Sequence, residues 1–184
     1  MSSAAHSLQS AFDTVAKISQ PTIAAVTGFA LGGGLELAMC ADFRVAGDNT
    51  KLGQPEITLG IIPGAGGTQR LPRLIGGSKA KELIFGGHMI SAGRALEIGL
   101  VNQVVEPAQV LGAALTWASG FAGGPKIALA AAKRAIDNGA NVDLRSGLSI
   151  ESTEFAALFG TEDQKNGMKS FVNDGPGKAT FVGR

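Results

Sequence analysis

The sequence predicts an α/β fold closed by a helical tail. Two observations lead there. A strand, glycine-turn, helix, strand rhythm occupies residues 22–46, and residues 107–173 carry helical spacing with few strand signals. Twenty-seven glycines in 184 residues is about double the usual share of roughly 7%. They are scattered among apolar runs, as tight turns and close backbone approaches require.

Leu8, Phe12, Val15 and Ile18 recur at helical spacing, so an amphipathic helix is expected over residues 7–18. Pro21 ends it, and 22–27 reads as a short buried strand. Residues 28–34 read as a glycine-rich turn, 35–41 as a helix, and 43–46 as a second strand followed by the turn Gly47-Asp48-Asn49. Residues 52–67 read as irregular, with Pro55 and Pro63 as fixed points. Short helices are expected over 67–75, 78–86 and 91–98, then a strand over 101–105. Pro107 suits the first turn of a helix. Four helices follow, at about 107–121, 125–138, 144–159 and 162–173. The last opens on Thr161-Glu162-Asp163-Gln164, a capping box. A soft boundary near 107 divides the chain into 1–106 and 107–184.

A composition of 45% hydrophobic and 17% charged residues fits an ordered globular protein. The formal charge of +1 supplies no long-range attraction for nucleic acid or anionic lipid. No apolar run reaches the roughly 18 residues of a membrane span, and Met1–His6 has neither a basic nor an apolar leader region. A cytoplasmic protein is expected. Cys40, the single cysteine, lies in an apolar run and reads as a small buried hydrophobe. His6 and His88, the only histidines, read as surface residues and suggest no metal site. Trp117 reads as core or subunit contact.

Three features carry chemistry. Gly32-Gly33-Gly34 opens a helix, where free amide N–H groups lie at the positive end of the dipole and can stabilise an oxyanion. Close helix-on-strand packing explains the same glycines equally well. Walker and dinucleotide glycine spacings both fail. Glu36 follows in that helix among apolar neighbours, as a site carboxylate or as a helix-terminus charge. Glu56, in Gly53-Gln54-Pro55-Glu56, is an acid in a nearly uncharged segment between Lys51 and Arg70. It is a turn residue or a poised proton donor. Two acids beside an amide-rich turn suit proton transfer with an oxyanion hole.

Three stretches resemble the crotonase (enoyl-CoA hydratase/isomerase) family: 23–38, Gly53-Gln54-Pro55-Glu56, and 62–71 from Ile62-Pro63-Gly64 to Arg70-Leu71. The tail, through Thr161-Glu162-Asp163 and 167–171, is similar to the family's C-terminal helices. The resemblance implies a crotonase/ClpP-like spiral of ββα units, N-terminally truncated relative to a full member, with a helical region that builds trimers, often paired into hexamers. It implies hydration of 2-trans-enoyl-CoA in β-oxidation-type metabolism. Glu36 would orient and activate water and Glu56 would exchange the α-carbon proton. Gly33 would donate to the thioester oxygen, and Gly32, Pro63 and Gly64 would line the substrate. Lys178 and Phe181 match positions near the CoA of a neighbouring subunit, and a solvated tail is the alternative. Coenzyme A is part of the substrate, so no separate cofactor is implied. An enoyl-CoA isomerase, or a shortened acyl-CoA-binding or assembly subunit with little catalysis, are the competing readings. In a full family member the second oxyanion donor would come from a segment that precedes the opening helix, and no matching stretch occurs before Pro21.

Overall fold

A computed structural model describes the backbone of residues 2–184 and the side chains of residues 7–184. The reading of His6 lies outside those side chains. The chain divides into two compact units, residues 1–18 with 22–118 and residues 19–21 with 119–184.

The first unit opens with α1 (Ser2–Ala16), then β1 (Ile23–Val26), β2 (Phe29–Leu31), α2 (Gly33–Ala38), β3 (Phe43–Gly47) and β4 (Lys51–Gly53). A 3-10 helix (Pro55–Leu59) leads to α3 (Gly67–Ile75), α4 (Gly77–Gly86), β5 (Met89–Ser91), α5 (Ala92–Glu97) and β6 (Gln103–Val105). A second 3-10 turn (Pro107–Gln109) precedes α6 (Val110–Ser119), so Pro107 starts a tighter turn than the expected α-helix.

Two three-stranded sheets result. One runs β1-β3-β6 and is wholly parallel, with Ile23 opposite Phe43 and Val45 opposite Gln103. The other runs β2-β4-β5, parallel in the first pair and antiparallel in the second. From β1 to β4 the strands alternate between the sheets, with α2 linking the β1-β2 pair to β3-β4 as a ββα spiral turn; β5 then stays beside β4 and β6 returns to the first sheet. Residues 28–34, expected to be a turn, hold β2, and β4 runs into the start of the stretch 52–67 expected to be irregular. Three-residue strands are too short to show alternation and exist because a partner pairs with them. At Gly53 a Cβ would sit 2.8 Å from the His88 carbonyl oxygen, so glycine is what lets β4 and β5 approach.

Leu35, Leu52, Leu71 and Leu100 are wholly buried in the main core. Val45, Val110 and Ala114 form a smaller cluster, beside which the Trp117 ring packs on Phe43 at 4.6 Å between centroids. Trp117 is thus partly buried at the edge of this cluster, and Cys40 is buried as expected.

The second unit comprises α7 (Lys126–Gly139), α8 (Leu144–Leu158), α9 (Glu162–Asp174) and a non-helical tail. Gly139 and Gly147 let α7 and α8 pack closely, since a Cβ on Gly147 would lie 3.6 Å from the Gly139 Cα. Arg134 grips Glu154 with two hydrogen bonds of 2.9 and 2.6 Å. Thr161 caps α9, its hydroxyl accepting from the Gln164 amide at 3.1 Å. None of the described helices is long and apolar enough to cross a membrane.

Candidate active site

Strand pairing assembles the site. Because β2 lies beside β4 with Leu31 opposite Gly53, the glycine turn after β2 and the Gln54-Pro55-Glu56 run after β4 leave their sheet together. The Gly32 N–H donates to the Gly53 carbonyl at 3.0 Å. Gly32 has φ 54°, ψ −124°, a region that only glycine occupies without strain. A Cβ there would meet Glu56 Oε1 at 2.8 Å. Gly32 and Glu56, twenty-four positions apart, thus meet at bare backbone.

Glu36, in α2, is 2% exposed. Its Oε1 accepts from the Ala65 amide at 2.8 Å and the Gly67 amide at 2.7 Å. These donors come from the turn 63–67, which Gly66 bends at φ 118° before α3 starts. Pro63 is buried against Gly67, where a Cβ would lie 2.7 Å from the Pro63 Cβ, 2.9 Å from the Gln54 side-chain amide and 3.0 Å from Glu36 Oε1. Gln54 is wholly buried. With its amide oriented by its hydrogen-bonding surroundings, its nitrogen donates to Glu56 Oε1 at 2.9 Å and Oε2 at 3.0 Å.

The two carboxylates therefore share one neighbourhood, Glu36 against Gly67 and Glu56 against Gln54, with Gly67 and Gln54 in contact. Their environments differ. Burial pushes the Glu56 carboxyl above the usual carboxylate range, its own backbone N–H pulls the other way, and the charge of Glu36 adds to the rise. A group so placed can hold or release a proton nearer neutrality. Gly33 and Gly34 are exposed, with nothing within 4 Å of a Cβ on either. Their amides open α2 without a partner among the described residues. Cys40 touches the site from behind, its Sγ donating to the Glu36 carbonyl at 3.3 Å, and burial raises its thiol.

The turn 63–67 is held from its other side by α1. Gln9 Nε2 donates to the exposed Gly64 carbonyl at 2.9 Å, and Arg70 pairs with Asp13 at 2.9 Å. Glu36, Glu56, Gly32, Gly33, Pro63 and Gly64 all lie in the first unit. Lys178 and Phe181 lie in the second, where Lys178 is exposed and Phe181 half-buried. Sequence reasoning passed over Gln54, Ala65 and Gly67. Gln54 lay inside a quoted motif but is uncharged, and the other two act through backbone amides that carry no side-chain signal. Among the described residues no cluster of three or more His, Cys, Asp or Glu could hold a metal ion.

A ββα spiral with a carboxylate on each of two converging turns defines an α/β protein of crotonase type. The Enoyl-CoA hydratase/isomerase family model matches residues 2–181, and the chain belongs to that family. It is 46% identical over 176 residues to a crotonyl-CoA hydratase of Syntrophomonas wolfei, covering 96% of this chain and 67% of that protein. It is 48% identical over 155 residues to a short-chain-enoyl-CoA hydratase of Clostridium acetobutylicum, covering 84% of this chain and 59% of that protein. A short-chain-enoyl-CoA hydratase of Clostridioides difficile is 53% identical over 149 residues, covering 81% of this chain and 96% of that protein. The crystal structure of an enoyl-CoA hydratase from Bacillus anthracis superposes with a TM-score of 0.93 at 43% identity, over 98% of this chain and 69% of that one. The chain thus spans about three-fifths to two-thirds of most of these relatives.

Proposed function

We propose that this chain carries the catalytic turns of an enoyl-CoA hydratase, which adds water across the double bond of a 2-trans-enoyl-CoA thioester. One observation carries the reading: the Gly67–Gln54 contact brings Glu36 and Glu56 together beside a glycine turn whose amides are free. Glu36, fixed through Oε1 by two amides, keeps Oε2 to orient and activate water. The water oxygen bonds to the β-carbon as its proton passes to Glu36 and the carbon–carbon π bond breaks, while Glu56 delivers its proton to the α-carbon. A carboxyl raised by burial keeps its proton to higher pH than an ordinary one, which favours that donation. The Gly33 amide donates to the thioester oxygen as negative charge builds there, a contribution whose loss typically costs about 10²–10³ in rate. Gly32 presents a backbone without side chain, and Pro63 and Gly64 form the opposite wall. Lys178 and Phe181 meet the nucleotide end of the CoA on a neighbouring subunit.

Residues 107–184 serve in this reading as the assembly region of a trimer or dimer of trimers. The exposed apolar side chains of α8 support it, with Leu144 at 78% and Phe155 at 62% exposure. Loss of the crotonyl-CoA enoyl-thioester absorbance on adding the protein tests hydration. Conversion of 3-enoyl-CoA with no hydration of crotonyl-CoA would assign the isomerase reaction. Binding without either reaction would leave an acyl-CoA-binding subunit.

A further inference from the structure

The last residues of the chain are held by main-chain hydrogen bonds to the start of α9. Asp163 is 3% exposed. Its Oδ1 accepts from the Val182 amide at 2.6 Å and its Oδ2 from the Gly183 amide at 2.9 Å. In the other direction the Arg184 carbonyl accepts from the Glu162 amide at 2.9 Å and the Asp163 amide at 3.2 Å. The Arg184 Nε adds a bond to Glu162 Oε2 at 3.1 Å. The first amides of α9, which have no intrahelical partners, are thus engaged by the tail, and a buried carboxylate satisfies two tail amides in return.

Immediately before this clamp, Phe181 lies on Gly167 of α9, its ring 3.5 Å from where a Cβ on that glycine would sit. A Cβ there would press on the ring. The clamp spans residues adjacent to Phe181, so it fixes the ring's position along α9. These contacts belong to residues 181–184, while Lys178 is exposed. Charge-assisted hydrogen bonds to a buried carboxylate are among the stronger ones a protein makes, whereas an exposed pair such as Arg184–Glu162 contributes little.

We infer that Asp163 is a positioning residue: by clamping Val182 and Gly183 it holds Phe181 in place to recognise the nucleotide end of an acyl-CoA. This rests on the acyl-CoA reading of the preceding section. Asp163 touches no substrate in this scheme and acts through the tail. Its removal should weaken binding of ligands that carry the adenine nucleotide and spare those that lack it.

The experiment titrates the full chain with butyryl-CoA and with butyryl-pantetheine, which keeps the thioester and lacks the nucleotide. Asp163→Asn retains the shape of the side chain and replaces one accepting oxygen by a donor. It should weaken butyryl-CoA binding roughly tenfold, the size expected for a lost bond to a charged group. Butyryl-pantetheine binding should be unchanged, and hydrogen exchange at the Val182 and Gly183 amides should accelerate. Phe181→Ala, which leaves the clamp intact, should reproduce the selective loss without the faster exchange. Unchanged butyryl-CoA affinity in Asp163→Asn despite faster tail exchange would overturn the inference, as would equal weakening of both ligands in both variants. A wild-type protein that binds neither ligand overturns the acyl-CoA reading itself, a result distinct from binding that ignores Asp163.

Discussion

The Gly67 amide donates to Glu36 Oε1 across 2.7 Å, joining residues thirty-one positions apart. The same oxygen accepts from Ala65, so one side of the carboxylate is used entirely for placement. The remaining oxygen is the one the proposed hydration would use.

Glu36→Gln and Glu56→Gln should each lower kcat by about 10²–10⁴-fold, the range for loss of a positioned acid or base. The melting temperature of Glu36→Gln should barely move, because a glutamine oxygen can still accept from Ala65 and Gly67, and that of Glu56→Gln should change only through loss of the raised carboxyl's pH-dependent cost. The double variant should be about as slow as the worse single one, since paired groups act as a unit. Strictly multiplicative losses, measured by steady-state kinetics, would mark the carboxylates as independent.

The raised carboxyl of Glu56 gives stability a definite pH dependence. The folded state keeps that proton to higher pH than the unfolded chain does. The group is therefore neutral for stability in strong acid and becomes unfavourable as pH rises from the ordinary carboxylate range toward the raised folded value. Glu56→Gln removes this cost. Its melting temperature relative to wild type should be higher at pH 8 than at pH 4. A difference that stays flat or falls with pH contradicts the raised carboxyl.

Gly67→Ala should destabilise by about 1–3 kcal/mol, the usual cost of forcing a methyl group into filled space. The new Cβ has Pro63, Gln54 and Glu36 within 3.0 Å, and Pro63 belongs to a buried wall that yields little. Gly34→Ala is the control: its Cβ meets nothing within 4 Å, and alanine favours helix by about 0.5–1 kcal/mol over glycine. Urea denaturation of both variants decides the point. Equal stabilities would mean that the turn at Gly67 relaxes freely.

The second unit leaves Leu144, Leu148, Phe155 and Phe159 of α8 and its C-cap exposed, each by more than half. The Phe155 and Phe159 rings pack edge to face at 5.1 Å, making one apolar ridge. Full burial of such side chains contributes roughly 1.5–3 kcal/mol each, so a few suffice for association. Light scattering should give three or six times 18.6 kDa. A monodisperse mass of 18.6 kDa at micromolar concentration would refute the assembly.

Much of the helical framework was legible because its signals are local. Glycine pairs, apolar spacing in α8 and the Thr161 cap placed α3, α4, α7, α8 and α9 to within a few residues. The strands β2, β4 and β5 were not legible. Each has three residues, and each owes its existence to a partner that local pattern does not specify. Glu36 and Glu56 could be singled out because acids in apolar runs are unusual. Gln54 could not, since an uncharged amide beside proline looks like any turn residue until its burial is known.

By itself the sequence determined the α/β class, the two glycine-flanked carboxylates and the helical character of the tail, because residue type and spacing within a few turns encode all three. Tertiary structure decided that β2 pairs with β4, which is why Gly32 meets Glu56. It decided that Ala65 and Gly67 grip Glu36, and that Asp163 holds Val182 and Gly183. The physical reason is common to these cases. Backbone amides are chemically alike at nearly every position, so which of them a buried carboxylate captures depends only on how distant segments are folded together.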